Sequence, residues 1–229
     1  MTTVATQTRE ATGPQFSAAV MQEARARSWE SLRRIAAGIR PGMTEQQANE
    51  LADEVLRQAG MERNWHPAIV RFGRGTLKTF KEQPDPATVL GPRDIFFIDL
   101  GPVWRGHEGD VGDTFVVGDD PQMLACAAAA RTLWREVSEH WRATKRGGTA
   151  LYAHAAERAR AAGWRLNLDI RGHRVCDFPH AIYKAGSLGD FGDCPATGLW
   201  ILEIQISHPS LPFGAFYEDL LTEGSGGGG

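Results

Sequence analysis

The chain has little of what would mark several large functional classes. Across 229 residues it carries only three cysteines, Cys126, Cys176 and Cys194, and no CxxC pair. The three cannot all pair within one chain, and reduced thiols are the natural reading, which points to the cytoplasm. Cys126, in the alanine-rich run LACAAAA, reads as a small buried helix residue. No apolar run approaches the roughly 20 residues that a membrane helix requires. The opening MTTVATQTREATGPQ lacks the apolar stretch of a secretory signal. Basic excess is missing too: the net charge is −3 and the pI about 6.2, which speaks against a nucleic-acid footprint.

What is present suffices for a core, since 42% of the residues are hydrophobic. Residues 1–15 read as a mobile tail, 16–223 as one folded domain, and the closing GSGGGG within 224–229 as a linker or tag remnant. Helical spacing of Ala24, Ser28, Leu32, Ile35 and Ile39 predicts a helix over 16–39, stopped by Pro41-Gly42. Thr44 and Gln47 form a capping-box pair for a second helix ending at Gly60. Residues 95–104 and 110–117 read as strands around the turn RGHEG, and Asp120-Pro121 opens a third helix. Thr149 is the expected cap of a fourth, ending at Gly163. Strand-like segments follow: LNLDIRGHRV, WILEIQISHP and AFYEDLLT. The order predicts an α+β domain, its helices packed on one side of a largely antiparallel sheet, with two halves of similar order that raise an internal duplication.

The chemistry lies in acids placed where acids are costly. Asp99 interrupts a strand apolar on both faces, and a buried carboxylate needs a cation or a dense set of donors. Across the following turn Asp110 can approach it, and two such carboxylates repel unless they share a proton or a cation. Strand alternation puts Asp113 on the opposite face, in a structural role or one supporting the ligands from behind. Glu203 in WILEIQI and Glu218 in AFYEDLL repeat the device across a second hairpin, and His173 in DIRGHRV brings a nitrogen donor. Hard oxygens with one imidazole suit a paired site for Mn, Fe, Co or Zn. His107 reads as turn-exposed, while His66, His140, His154 and His208 show no metal-type spacing. Trp65, Trp104 and Trp200 read as packing residues that could also line a pocket.

FIDLG, EGDVGDTF, RGHRVCDFPH, ILEIQ and FYEDLLTEG, in this order and with IRPGMTE between the first two helices, resemble the creatinase/aminopeptidase P/methionine aminopeptidase family, the pita-bread metallohydrolases. The resemblance covers about residues 16–223. It implies the pita-bread fold, with two pseudo-symmetric halves and a curved, mostly antiparallel sheet carrying helices on its outer face. It also implies two divalent transition-metal ions. Asp99 would chelate one, Asp110 and Glu218 would bridge both, and His173 with Glu203 would complete the other. The implied reaction is hydrolysis of an amide or related C–N bond by a metal-bridging hydroxide, aminopeptidase- or Xaa-Pro dipeptidase-like. Glu203 would also take the proton of the attacking water, and His180 would contact substrate as the family's second histidine. A peptide or small molecule is the implied partner, with no nucleic acid or membrane, and a homodimer stays open.

The substrate surroundings depart from the family pattern. Phe80 or Lys81 stands where peptidase relatives carry a histidine. Arg174, Val175 and Cys176 replace small glycines and are expected to narrow or recharge the pocket, with Phe80 and Arg174 as substrate contacts. Ala181 replaces a glutamate and Ile204 a proline. These changes feed a second reading, a non-peptidase C–N hydrolase like creatinase or a lyase on the same metals. A metal-free binding scaffold is the third; it fits poorly with five retained ligands.

Overall fold

The computed structural model describes residues 9–85, 87–180 and 186–224. Helix α1 (Ala18–Gly38) starts at an Ser17 cap, and α2 (Glu45–Gln58) starts at the reciprocal Thr44–Gln47 capping box. Strand β1 (Arg63–Phe72) follows, then β2 (Asp94–Trp104), the short β3 (His107–Glu108) and β4 (Val111–Val117). Asp120 caps α3 (Pro121–Thr144), accepting from the N–H groups of Gln122 and Met123 with Pro121 opening the helix. Next come α4 (Gly148–Ala161), the two-residue strands β5 (Arg165–Leu166) and β6 (His173–Arg174), then β7 (Trp200–Ser207) and β8 (Gly214–Leu220).

The strands form one sheet in the order β1-β2-β4-β8-β7-β5, with β3 beside β2 and β6 beside β7. Every named pair is antiparallel. Alternation sends Phe96, Ile98 and Leu100 of β2 into a core with α1 and α2, while Leu202, Ile204 and Ile206 of β7 enter a second core with α3 and α4. Tyr217 packs against both, between Trp29 at 5.6 Å and Trp134 at 5.5 Å. Two helices and a set of strands on each side of this seam match the duplicated order expected from the sequence.

Some expectations need correction. Gly147, not Thr149, precedes the fourth helix; Thr149 lies inside it, and its hydroxyl donates to the Gly189 carbonyl. LNLDIRGHRV is not a continuous strand. An Asx turn, with the Asp169 N–H donating to Asn167 Oδ1, and Gly172 at φ +67° break it between β5 and β6. The tail boundary also moves, because residues 9–15 are tied to the domain. Glu10 accepts from Trp200 Nε1 at 2.7 Å and from the Ala196 N–H, and Asp177 accepts from the Gly13 N–H at 2.7 Å. Residues 1–8 and 225–229 lie outside the described residues.

Candidate metal centre

One rung of the sheet carries most of the site. Asp99 of β2 pairs with Gly112 of β4, Gly112 with Glu218 of β8, and Glu218 with Glu203 of β7. Because opposed residues project to one face, these three acids line up across four strands on the side away from the helices. Gly112 belongs in the middle of that line: a Cβ there would sit 2.5 Å from the Phe216 ring and 3.1 Å from Glu218 Cγ. Asp110 reaches the same point from the turn before β4, and His173 from β6, whose partner Ile201 is two residues before Glu203. His173 Nε2 lies 2.9 Å from Asp110 Oδ2. Ligand atoms of Asp110, His173 and Glu218 all fall within 4.8 Å of one another, as do those of His66, Asp99 and Asp110.

The carboxylates are held for something other than protein donors. Asp99 Oδ1, Asp110 Oδ1 and Glu218 Oε1 are buried without a hydrogen-bond partner, a costly state for charged oxygens in a protein interior. Burial and the neighbouring Asp110, Asp99 and Glu203 push Glu218 far above the ordinary carboxylate range. Burial likewise raises Asp99 and Glu203. Asp110 differs: burial opposes its ionisation, yet His173 and His66 hold it well below the ordinary range. Burial also opposes the charged imidazoles, but Asp110 holds His173 up to about 10 and Asp99 with Asp110 holds His66 up to about 9. Orphaned oxygens, mutual repulsion and an imidazole in reach are the donor set that a divalent transition metal satisfies.

A pH dependence follows for the metal-free protein. Imidazoles raised above their ordinary 6.5 contribute stability fully below that value and lose it as the pH climbs through about 9 and about 10. The raised carboxylates act in the same direction, since folding favours their protonated forms. Thermal melts of chelator-treated protein are expected to show a lower Tm at pH 9.5 than at pH 6.5. A flat profile would contradict these couplings.

The neighbouring side chains are fixed in turn. Gly172 N–H donates to Glu203 Oε2 at 2.7 Å, and the Tyr152 hydroxyl bonds both backbone groups of Glu203. His173 Nδ1–H donates to the Arg174 carbonyl at 3.0 Å, which turns Nε2 toward Asp110. Asp113 lies on the helix side and pairs with Arg131 at 2.7 Å, as strand alternation predicted.

A cavity of about 710 Å³ opens over the acids, lined among others by Trp65, His66, Phe80, Lys81, Ile170 and His180. Phe80 stands at its mouth, 63% exposed. His180 is oriented by Glu108, a fully buried carboxylate that sequence reasoning passed over; it accepts from His180 Nδ1 at 2.7 Å and from the His180 N–H at 2.8 Å.

Arg174 is a correction. It follows His173 in the strand and so points to the other face, where it is 2% exposed and donates to the Arg9 and Ala11 carbonyls. Neither it, Val175 nor Cys176 lines the cavity. His107 is another correction. It is buried, and its Nε2 accepts from the Ser17 N–H at 2.8 Å. Trp104 and Trp200 are core residues, whereas Trp65 lines the cavity. Ala181 lies outside the described residues. His66, which offered no spacing signal, reaches the acids because β1 lies alongside β2, a pairing invisible in a linear pattern.

Known proteins bear on the same residues. The model of metallopeptidase family M24 matches residues 19–198, a span that holds Asp99, Asp110, His173 and His180. Methionine aminopeptidase 1 of Mycobacterium tuberculosis (strain CDC 1551 / Oshkosh) is 33% identical over 93 residues, covering 38% of this chain and 35% of that protein. Among solved structures, the X-Pro aminopeptidase of Thermotoga maritima MSB8 superposes with a TM-score of 0.72 at 19% identity, covering 97% of this chain and 63% of that one. A methionine aminopeptidase of Thermotoga maritima gives 0.67 at 18% identity, covering 90% of this chain and 92% of that one. At these identities the superpositions establish the fold, and the chain spans about a third of the mycobacterial protein it matches.

Proposed function

The chain belongs to metallopeptidase family M24, and from that premise we propose that it is a dinuclear metal-dependent hydrolase cleaving an amide bond near the N-terminus of a short peptide. The carrying observation is the rung Asp99–Gly112–Glu218–Glu203, joined by Asp110 and His173, with buried carboxylate oxygens that no protein group satisfies. In this reading Asp99, Asp110, His173, Glu203 and Glu218 would together hold the two ions. Mn, Fe, Co and Zn all suit such ligands, and when bound they would lower the pKa of water and polarise the scissile carbonyl.

The chain's own residues supply the rest. Glu203, steadied by the Gly172 N–H, accepts the proton of the attacking water. His180, with its Nδ1 proton held by Glu108, presents Nε2 to the substrate amide. Trp65, Phe80 and Ile170 give the cavity apolar walls for a side chain. The unpaired cysteine thiols and the absence of any helix long and apolar enough to cross a membrane, among the described residues, support a cytoplasmic setting.

The test is hydrolysis of a panel of short peptides, including Xaa-Pro dipeptides, by protein supplied with each metal; silence across the panel would sink the peptidase reading. His180→Ala is expected to lower kcat by about 10²-fold or more while leaving the bound metal unchanged. A second reading, a small-molecule C–N hydrolase or lyase, is favoured by the cavity mouth, where Phe80 and Lys81 stand in the stretch that lacks the histidine expected of a peptidase. Activity on such compounds in a peptide-silent enzyme would select it.

A further inference from the structure

His66 is built into the centre more thoroughly than a packing residue needs to be. Strand β1 breaks its register with β2 on both sides of it, between Asn64 and His66 and again between His66 and Ile69. Such bulges re-aim a side chain, and here the His66 ring lies against β2 at Gly101, its register partner. A Cβ at Gly101 would overlap that ring, so the glycine makes the room. Trp65 packs edge-on to the imidazole, with centroids 4.4 Å apart and planes at 87°.

The far nitrogen of the ring is also fixed. His66 Nδ1–H donates to the Pro67 carbonyl at 2.8 Å, just as His173 Nδ1–H donates to the carbonyl of Arg174. Fixing the far nitrogen through a backbone carbonyl is how proteins orient a metal-binding imidazole. The near nitrogen, Nε2, then lies 3.5 Å from Asp99 Oδ1 and 3.8 Å from Asp110 Oδ1. Both oxygens are among the buried atoms without a hydrogen-bond partner. Three donors within 4.8 Å of one another can surround an ion at the roughly 2.0–2.2 Å typical of nitrogen and oxygen ligands.

We propose that His66 is a sixth protein ligand of the centre, coordinating through Nε2 the cation that Asp99 and Asp110 hold. The inference rests on the dinuclear reading above and deepens it. Each ion would then carry one imidazole, His66 on the Asp99 side and His173 on the Glu203 side. An added nitrogen moves the first position away from an all-carboxylate set, so it favours Co, Ni or Zn over Mn and Mg there.

The experiment uses cobalt as the probe. Metal-free protein is titrated with Co(II) and followed in water by proton NMR, where each cobalt-bound imidazole gives a strongly shifted exchangeable N–H signal; affinities come from calorimetry. Wild type is expected to show two such signals at saturation. His66→Phe keeps a ring against Gly101 but has no donor; it should lose one signal and bind one of its two ions about 100-fold more weakly. His66→Asn gives the same comparison if the phenylalanine variant fails to fold. A single shifted imidazole in wild type overturns the inference and leaves the dinuclear reading standing. So does a His66 variant that keeps both signals and both affinities. Failure of wild type to bind Co(II) at all overturns both.

Discussion

Glu218→Gln is expected to abolish peptide hydrolysis, with a loss of about 10³-fold or more in kcat/KM, equivalent to roughly 4 kcal/mol of transition-state stabilisation. The reason is position. Glu218 sits on the rung between Gly112 and Glu203, and it shares one ligand cluster with Asp110 and His173. Glutamine keeps the shape but offers only one neutral oxygen, which cannot offset two cations. The same substitution is expected to leave the metal-free protein as stable as wild type or more so. Burial and three nearby carboxylates already make the ionised Glu218 unfavourable in the absence of a counter-charge. Parallel melts separate the two effects: the variant should hold or raise the metal-free Tm and lose the rise that metal gives wild type. A variant that binds metal and turns over like wild type would remove Glu218 from the centre.

Gly172→Ala should produce the largest structural effect of a single methyl group. Gly172 adopts φ +67°, a conformation that costs an L-residue about 1 kcal/mol or more. Its Cβ would also run into the Ile201 carbonyl and stand 2.9 Å from Leu188 Cβ and 3.1 Å from the Tyr152 hydroxyl. Overpacking of this kind costs about 1–3 kcal/mol. Together these lower Tm by roughly 6–12 °C for a domain of this size. The displacement reaches the site at once, because Gly172 precedes His173 and its N–H holds Glu203. Metal affinity should therefore fall with stability. Gly163→Ala is the control: it also has a positive φ, 83°, but nothing lies within 4 Å of its Cβ position. It should show the conformational cost alone and leave metal binding intact. Equal effects at the two glycines would contradict the account.

The residues that were legible in the sequence are those whose burial conflicts with their charge. Asp99, Glu203 and Glu218 each interrupt an apolar strand, and a carboxylate there demands an explanation that no neighbouring basic residue offers. Helix starts were legible for a similar reason, since Thr44 with Gln47 and Asp120 with Pro121 are local chemistry. What could not be read depends on long-range pairing. His66 meets Asp99 only because a bulged β1 lies along β2, and Glu108 meets His180 only where β3 faces the loop that follows β6. Arg174 was misread because its placement on the far face follows from His173 and Arg174 forming a strand, and the sequence around them is too irregular to set that register.

The central claim is that these acids and imidazoles exist to hold two metal ions, and counting the ions tests it most directly. Chelator-stripped protein is loaded, dialysed and analysed for transition metals, alongside a melt at each stage. The account predicts two ions per chain and a higher Tm in the loaded protein, both lost in Glu218→Gln. Protein that retains no metal after loading, and melts at the same temperature with and without it, would contradict the account.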